Sequence, residues 1–241
     1  MLHATGRPAA RCLFFVLMAS LVVVTVFAGF APTFYLRSSF HPHDELSILL
    51  HVHGLVMSTW IILFLVQTVL IVRGSRILHQ RLGWFAACIA AAMVVLVSAA
   101  VIEQMRRVPP NPPPSIALAL SAFDIVAFLI LVISAISLRK RPEWHKRFML
   151  SAIIVLLGAP IFRIILYSTD LDPSKALILQ FLVTDLFFVP CIAYDLFARH
   201  RIHPAYLYAL VLIVVEQTAQ PIVIPWTPWI NLANAIQGFV A

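Results

Sequence analysis

Charged residues are scarce in this sequence. Only 11% of its 241 residues are Asp, Glu, Lys or Arg, whereas 62% are hydrophobic. A soluble domain of this length carries about 25% charged residues, so a soluble fold with a solvated surface is excluded. Most of the chain consists of apolar runs that are long enough to cross a bilayer as helices. The sequence therefore predicts a polytopic membrane protein whose principal partner is the lipid bilayer.

Cysteine is also rare, and Cys12, Cys88 and Cys191 show no CxxC or CxxH spacing. Each lies within or at the edge of a predicted span, which argues against disulfides and against a zinc–cysteine site. The motifs HExxH, GxSxG, GxGxxG and the P-loop are missing, so nothing favours metalloprotease, serine hydrolase or nucleotide chemistry. Because no CxxCH attachment motif is present, any bound haem is expected to be non-covalent.

The apolar runs predict a single all-α membrane domain over residues 1–241, built as a bundle of seven transmembrane helices. A cleaved signal peptide is the alternative for the first run, but that run is long and Pro32 follows its one plausible cleavage point. The tail 227–241 contains Trp229 and is predicted to lie at the membrane interface. The predicted helices cover about residues 13–31, 47–72, 83–104, 115–138, 148–167, 174–197 and 205–226.

Lys and Arg are distributed unevenly around these spans. Four of them fall on one side (Arg37, Arg106, Arg107 and Lys175), and Arg163 lies within a span. The positive-inside rule therefore predicts the N-terminus inside and the C-terminus outside. Because these basic residues cluster in the short loops between the spans, the net charge of +7 does not indicate a nucleic-acid partner. The other side holds twelve: Arg7, Arg11, Arg73, Arg76, Arg81, Arg139, Lys140, Arg141, Lys146, Arg147, Arg199 and Arg201.

Two histidines stand at the predicted inner starts of helices 3 and 5. The segments RGSRILHQRL and RKRPEWHKRF align with each other, which matches His79 with His145. Two imidazoles at facing helix ends can ligate a haem iron axially or hold a metal ion. The flanking Arg81, Lys146 and Arg147 would then pair with haem propionates or lipid phosphates. The alternative is that both histidines only meet lipid headgroups.

The second predicted helix, SILLHVHGLVMSTWIILFLVQTVLIV, carries polar residues that a lipid-facing helix does not need. His53, Met57, Trp60, Phe64 and Gln67 share one face at about 100° per residue. His53 and Met57 suit a soft metal only if another element supplies a third ligand, and packing is the commoner role of such a methionine. The two aromatic residues are predicted to lie in the bundle core, or to form a wall for a quinone or porphyrin.

Ionisable residues also occur at similar depths in the outer half of the predicted spans. Each isolated charge there costs several kcal/mol, so we expect these groups to face inward and pair, with Arg163 neutralising one carboxylate. This pattern favours a proton or cation pathway, and a hydrogen-bond network that only fixes the bundle is the alternative. The cluster comprises His53, Asp124, Arg163, Asp185 and Glu216, with Gln217 and Gln220 adding polarity.

Short motifs within residues 45–165 resemble those of a group of uncharacterised bacterial predicted membrane proteins. One helix begins His-x-x-Leu-Gly (79–83), and a later one begins His-x-x-x-Met (145–149) and runs on to Arg163. The segment 53–57 with Trp60 and Gln67 is similar as well. The members of this group have no settled activity that could be expected of this chain. Because they are bacterial membrane proteins, the resemblance implies a location in the bacterial inner membrane.

More distantly, the arrangement resembles the four-helix b-type cytochromes of the b561 kind, which move electrons across membranes. That resemblance implies His79 and His145 as a pair of haem ligands. The resemblance also implies a second haem, held by His53 and a histidine on the fourth helix. The polar residue of that helix is Asp124, so a second haem would lack one ligand. This comparison concerns arrangement alone.

The sequence thus favours an inner-membrane protein that binds b-type haem, or a metal, for redox or redox-assembly work. A proton-linked transporter or channel using the outer polar residues is the first alternative. A structural subunit of a larger membrane complex is another. A membrane-embedded hydrolase ranks below the transporter because no His/Asp/Ser pattern supports it, and no catalytic residue is assigned.

Overall fold

The computed structural model describes residues 6–41, 45–106 and 113–240, with only the backbone for residues 6–12. The side chains of Arg7, Arg11 and Cys12, and all of Arg107, lie outside this description. All seven predicted spans are present as helices. In chain order the helices are α1 (Gly6–Phe30), α2 (Arg37–Phe40), α3 (Ile48–Val72), α4 (Arg76–Met105), α5 (Pro114–Ser137), α6 (Pro142–Val155), α7 (Gly158–Ser168), α8 (Pro173–Leu186), α9 (Phe188–Arg199), α10 (Pro204–Val223) and α11 (Thr227–Val240).

Helices α4 and α6, like α1, begin several residues earlier than the sequence predicts. Gly74 has a φ of +75°, a left-handed conformation that glycine adopts readily, and it lets α4 restart at Arg76 instead of residue 83. Pro142 starts α6, where its missing N–H is not needed by the helix. His79 and His145 therefore lie near the N-termini of regular helices and not in loops.

The fifth and sixth spans are each divided into two helices. The breaks follow Val155 and Leu186. Each break lies just before a proline, Pro160 or Pro190, whose ring collides with the carbonyl four residues earlier and which has no N–H to donate. The continuous helices predicted at 148–167 and 174–197 are therefore α6 with α7 and α8 with α9.

The segment predicted as a polar loop from residue 32 begins as helix. Residues Ala31–Tyr35 form a π-helical turn after α1, and the short α2 follows. The turn contains Pro32, whose missing N–H disturbs the regular ladder. The Tyr35 hydroxyl lies 2.6 Å from Ser58 Oγ, which fixes this turn against α3.

The core of the bundle takes buried side chains from α1 and from each helix between α3 and α10. Trp60 and Phe64 of α3 are buried there, and the Trp60 ring meets Phe128 edge to face at 5.7 Å. The prediction that these two aromatic residues belong to the core is therefore confirmed. The face of α3 that carries them is the inward face of the second span.

The tail predicted to be interfacial forms α11, which covers the adjoining ends of α4 and α5. The Trp229 indole donates to the Ser115 carbonyl at 2.9 Å, and Gln237 Nε2 donates to the Met105 carbonyl at 3.1 Å. Arg106 Nε donates to the Val240 carbonyl at 3.0 Å. The bonds to Met105 and Val240 satisfy carbonyl groups at the C-terminal ends of α4 and α11, which lack partners within their own helices.

We call the opposite end of the bundle, formed by the turns after α3, α5 and α9, the basic end. These turns carry Arg73, Arg139 and Arg201 with their basic neighbours. That the basic end faces the cytoplasm stays a prediction from the positive-inside rule.

Close packing of α1 on α7 depends on Gly29. A Cβ at this position would lie 2.6 Å from Pro160 Cα, so Gly29→Ala must push the two helices apart. We expect a loss of about 1–3 kcal/mol in the free energy of unfolding, measured from thermal unfolding in detergent. Gly238→Ala is the control because none of the described residues lies within 4 Å of its Cβ. Equal effects of the two substitutions would contradict this packing.

Candidate functional site

The structure brings His79 and His145 together at the basic end. Their ring centres are 6.3 Å apart, and their planes are inclined by 87°, so the rings are not stacked. His145 Nδ1 donates to the Ala135 carbonyl of α5 at 2.8 Å. Its Nε2 is then the nitrogen with a free lone pair. His79 Nδ1 is buried and has no hydrogen-bond partner in the described part of the chain.

The polar face of α3 reaches this histidine pair through Gln67. Its Nε2 donates to the His79 carbonyl at 3.1 Å, and the Gln67 carbonyl faces the His79 ring. Gln67 Oε1 is buried and lacks a hydrogen-bond partner among the described residues. Gln67 therefore belongs to the same polar site as the two histidines.

A buried ion network lies beside the pair. Arg147 and Asp195 have 0% exposed side chains and form a two-pronged ion pair between α6 and α9. Arg147 Nε donates to Asp195 Oδ2 at 3.0 Å, and its Nη1 donates to Glu143 Oε2 at 2.7 Å. Glu143 also accepts from Lys146 at 2.7 Å and from Arg199 at 2.6 Å. Arg147 is thus engaged by carboxylates, and the expectation that it meets haem propionates or lipid phosphates is wrong.

His203, just before α10, joins this network. Its backbone N–H donates to Asp195 Oδ2 at 3.0 Å, and its Nδ1 accepts from the Ala205 N–H at 3.1 Å as the N-cap of α10. The ring meets Trp144 edge to face at 4.8 Å. Burial, and then the positive charges of Arg147 and Arg199, lower the pKa of His203 to about 4.

Asp195 and His203 were not predicted from the sequence. Position along the membrane normal marks Asp195 as a candidate for pairing with Arg147, whereas His203 lies outside the spans and gives no such signal. Asp195 lies one turn from the basic end of the sixth span, and Arg147 lies near the basic start of the fifth. Two opposite charges at equal depth in neighbouring helices are expected to pair.

The outer polar residues do not form a single cluster. The carboxyl groups of Asp124 on α5 and Glu216 on α10 lie within hydrogen-bonding reach of each other, and Asp185 of α8 acts electrostatically on Glu216. Gln217 Nε2 donates to Asp185 Oδ1 at 3.0 Å, and Gln220 Nε2 donates to Glu216 Oε1 at 3.1 Å. These residues form the carboxyl site of the bundle.

Arg163 and His53 form a separate group. The Arg163 guanidinium acts electrostatically on the His53 ring, and the Leu96 carbonyl of α4 faces that ring. Arg163 stacks on Phe30 at 4.6 Å and donates to the Ala159 carbonyl at 3.2 Å. Within the described residues no carboxylate forms an ion pair with Arg163, so the expected neutralisation of an outer carboxylate does not occur there.

A bare metal site is not evident. Among the described residues no group of three or more His, Cys, Asp or Glu side chains is placed to hold a metal ion. Met57 packs against the core, as the packing alternative expects. Cys88 and Cys191 are both free thiols, in line with the prediction against disulfides.

The helical fold and its seven apolar spans define a polytopic integral membrane protein. Comparison with known proteins finds no matching family model, no curated relative and no similar solved structure. The case for a particular function therefore depends on the geometry of the described residues.

Removal of Asp195 should destabilise the protein strongly, because it leaves the Arg147 charge buried without its main partner. We expect Asp195→Leu to cost about 3–5 kcal/mol of unfolding free energy in detergent. Replacing both partners, as Arg147→Met with Asp195→Leu, should recover most of that loss. The control is Lys175→Met, because Lys175 is 72% exposed and its pairing with Asp172 at 3.4 Å contributes little. Similar small losses in all variants would contradict a structural role for the buried pair.

Acidification should destabilise the protein through His203. The folded state keeps this ring neutral down to a pKa of about 4, whereas the unfolded chain takes up the proton near pH 6.5. The unfolded state therefore binds more protons between these pH values, and the free energy of unfolding falls as the pH is lowered. His203→Asn keeps an N-cap and should reduce this slope by about one proton, or about 1.4 kcal/mol per pH unit. Unfolding measured against pH for both proteins tests this, and identical slopes would refute it.

Proposed function

We propose that this protein binds one b-type haem non-covalently between His79 and His145, for redox or redox-assembly work in a bacterial inner membrane. The observation that carries the proposal is the 6.3 Å separation of the two imidazole ring centres. Metal–nitrogen bonds of about 2 Å, with roughly 1 Å more to each ring centre, put two trans imidazoles about 6 Å apart. The separation in the structure fits axial ligation of one iron.

The contacts of each ring also suit a ligand. A metal-binding histidine usually donates from one nitrogen to a carbonyl or carboxylate, which fixes the ring and leaves the other nitrogen free. His145 does so through Ala135. His79 offers a buried Nδ1 that has no hydrogen-bond partner among the described residues, and Gln67 holds the His79 backbone in place.

Haem suits this pair better than a bare metal ion. A zinc site takes three or four protein ligands, whereas haem iron already has four porphyrin nitrogens and needs only axial ligands. The described residues provide no third His, Cys, Asp or Glu at the pair. Bound haem would supply one-electron exchange. The chain would supply the two histidine nitrogens, a buried environment and the basic side chains of Arg76 and Arg81.

Basic side chains at the start of α4 can bind acidic groups. A surface groove of about 540 Å³ at the start of α4 is lined in part by Arg76 and Arg81. Both guanidinium groups suit a carboxylate or a phosphate. We therefore assign haem propionates or lipid phosphates to these arginines and not to Arg147.

This function agrees with the resemblance to b561-type cytochromes in its one pair of ligands and departs from it in having no second pair. Asp124, on the helix where another histidine would stand, is engaged by Glu216. The electron donor or acceptor would then bind at the basic end of the bundle, and we include this partner in the proposal.

A proton-linked transporter or channel is the second candidate, because the bundle holds hydrogen-bonded carboxyl groups near its middle. A role as a structural subunit of a larger membrane complex has no comparable observation in its favour. The two functional candidates make different spectroscopic predictions.

The purified protein, expressed with haem supplied, should show a Soret absorption band. His79→Ala or His145→Ala should abolish that band, because either change removes one axial ligand. His41→Ala is the control, since His41 contacts the Tyr167 hydroxyl at 3.3 Å, away from the pair.

A wild-type protein without a Soret band under these conditions would contradict the proposal. Retention of the band in both ligand variants would contradict the assignment of the histidines. Thermal unfolding of each variant in detergent separates ligand loss from misfolding.

A further inference from the structure

The carboxyl site lies near the middle of the membrane-spanning helices. Asp124 is about 15 Å along α5 from its first residue, and Glu216 is about 18 Å along α10. The Glu216 side chain is only 7% exposed, and its carboxyl group lies within hydrogen-bonding reach of that of Asp124. The contact joins two helices that pack against each other in the bundle.

A hydrogen bond between two carboxyl groups requires a proton. A carboxylate is only an acceptor, so one member must be a carboxylic acid that donates to the other. Two carboxylates in contact inside a membrane repel each other strongly and cannot both be ionised. We infer that Asp124 and Glu216 form a binding site for one dissociable proton, shared between α5 and α10.

Gln220 provides a second and independent observation. It is 1% exposed and lies one turn beyond Glu216 on α10. Its Nε2 donates to Glu216, while its Oε1 is buried and lacks a hydrogen-bond partner in the described chain. An unused acceptor beside a carboxyl pair is suited to a proton donor, such as the carboxylic acid itself or a water molecule that carries the proton.

No fixed cation neutralises this site. Within the described residues Asp124, Asp185 and Glu216 form no ion pair with Lys, Arg or His. The titratable groups that face Glu216 are the two aspartates, from α5 and α8. The charged residues of α6 and α9, which also pack on α10, lie in the network at the basic end. Charge balance at the site therefore has to come from a proton or from another bound cation.

Dicyclohexylcarbodiimide tests this site in the full-length protein in detergent, because it adds to protonated carboxyl groups in apolar surroundings. The acid proton moves to nitrogen, and the carboxyl oxygen bonds to the central carbon of the reagent. We expect the label on the peptide carrying Glu216 or Asp124, identified by mass spectrometry. Labelling should be strong near pH 6 and fall about tenfold per pH unit once the proton dissociates.

The matched variants locate the label. Asp124→Asn combined with Glu216→Gln should abolish it, whereas Glu103→Gln, which removes a carboxyl group on α4 outside the pair, should keep it. If the double variant does not fold, peptide mapping and the pH dependence of the wild-type protein still decide.

Three results would overturn the inference: no label on either residue across about pH 5–11, a label that is independent of pH over that whole range, or protection by NaCl at fixed pH. The last result would indicate a site for a metal cation in place of a proton. None of these outcomes depends on haem, so the inference and the proposed function fail or stand separately.

Discussion

The buried ion pair of Arg147 and Asp195 organises the basic end of the bundle. An ionised guanidinium inside a membrane protein is tolerable only with a partner and with its donors satisfied, and Asp195 and Glu143 provide both. The pair connects α6 to α9, and the His203 N–H extends it to the start of α10. Since His145 lies two residues before Arg147, the pair also holds the helix that presents this imidazole.

The same constraint separates the polar residues farther along the spans. Carboxyl groups that find no cation bond to each other and to glutamine amides, as Asp124 and Glu216 do with Gln220. Arg163, which finds no carboxylate, stacks on Phe30 and bonds to a carbonyl of its own helix. Similar depth was therefore necessary for contact between these groups but not sufficient, because the direction of each side chain around its helix decides which groups meet.

Hydropathy predicted the seven spans, and charge placement put His79 and His145 at the same end of the bundle. These features depend on length, composition and position along the membrane normal, which a sequence displays directly. The division of the fifth span was also accessible, because Pro160 cannot continue a regular helix. The partners of Arg163 and Arg147 were not accessible, because they depend on which helices are neighbours and how each is rotated. Sequence periodicity defines a face of a helix but does not say which helix covers it.

Helix α5 contributes to both proposed sites. Its Ala135 carbonyl holds the His145 ring, and Asp124, about 16 Å away along the same helix, shares a hydrogen bond with Glu216. A shift of α5 along its axis would therefore act on the orientation of the imidazole and on the carboxyl contact together. A substitution that disturbs α5 as a whole cannot distinguish one site from the other. Changes on the partner helices, at His79 on α4 for the histidine pair and at Glu216 on α10 for the carboxyl pair, act on one site at a time.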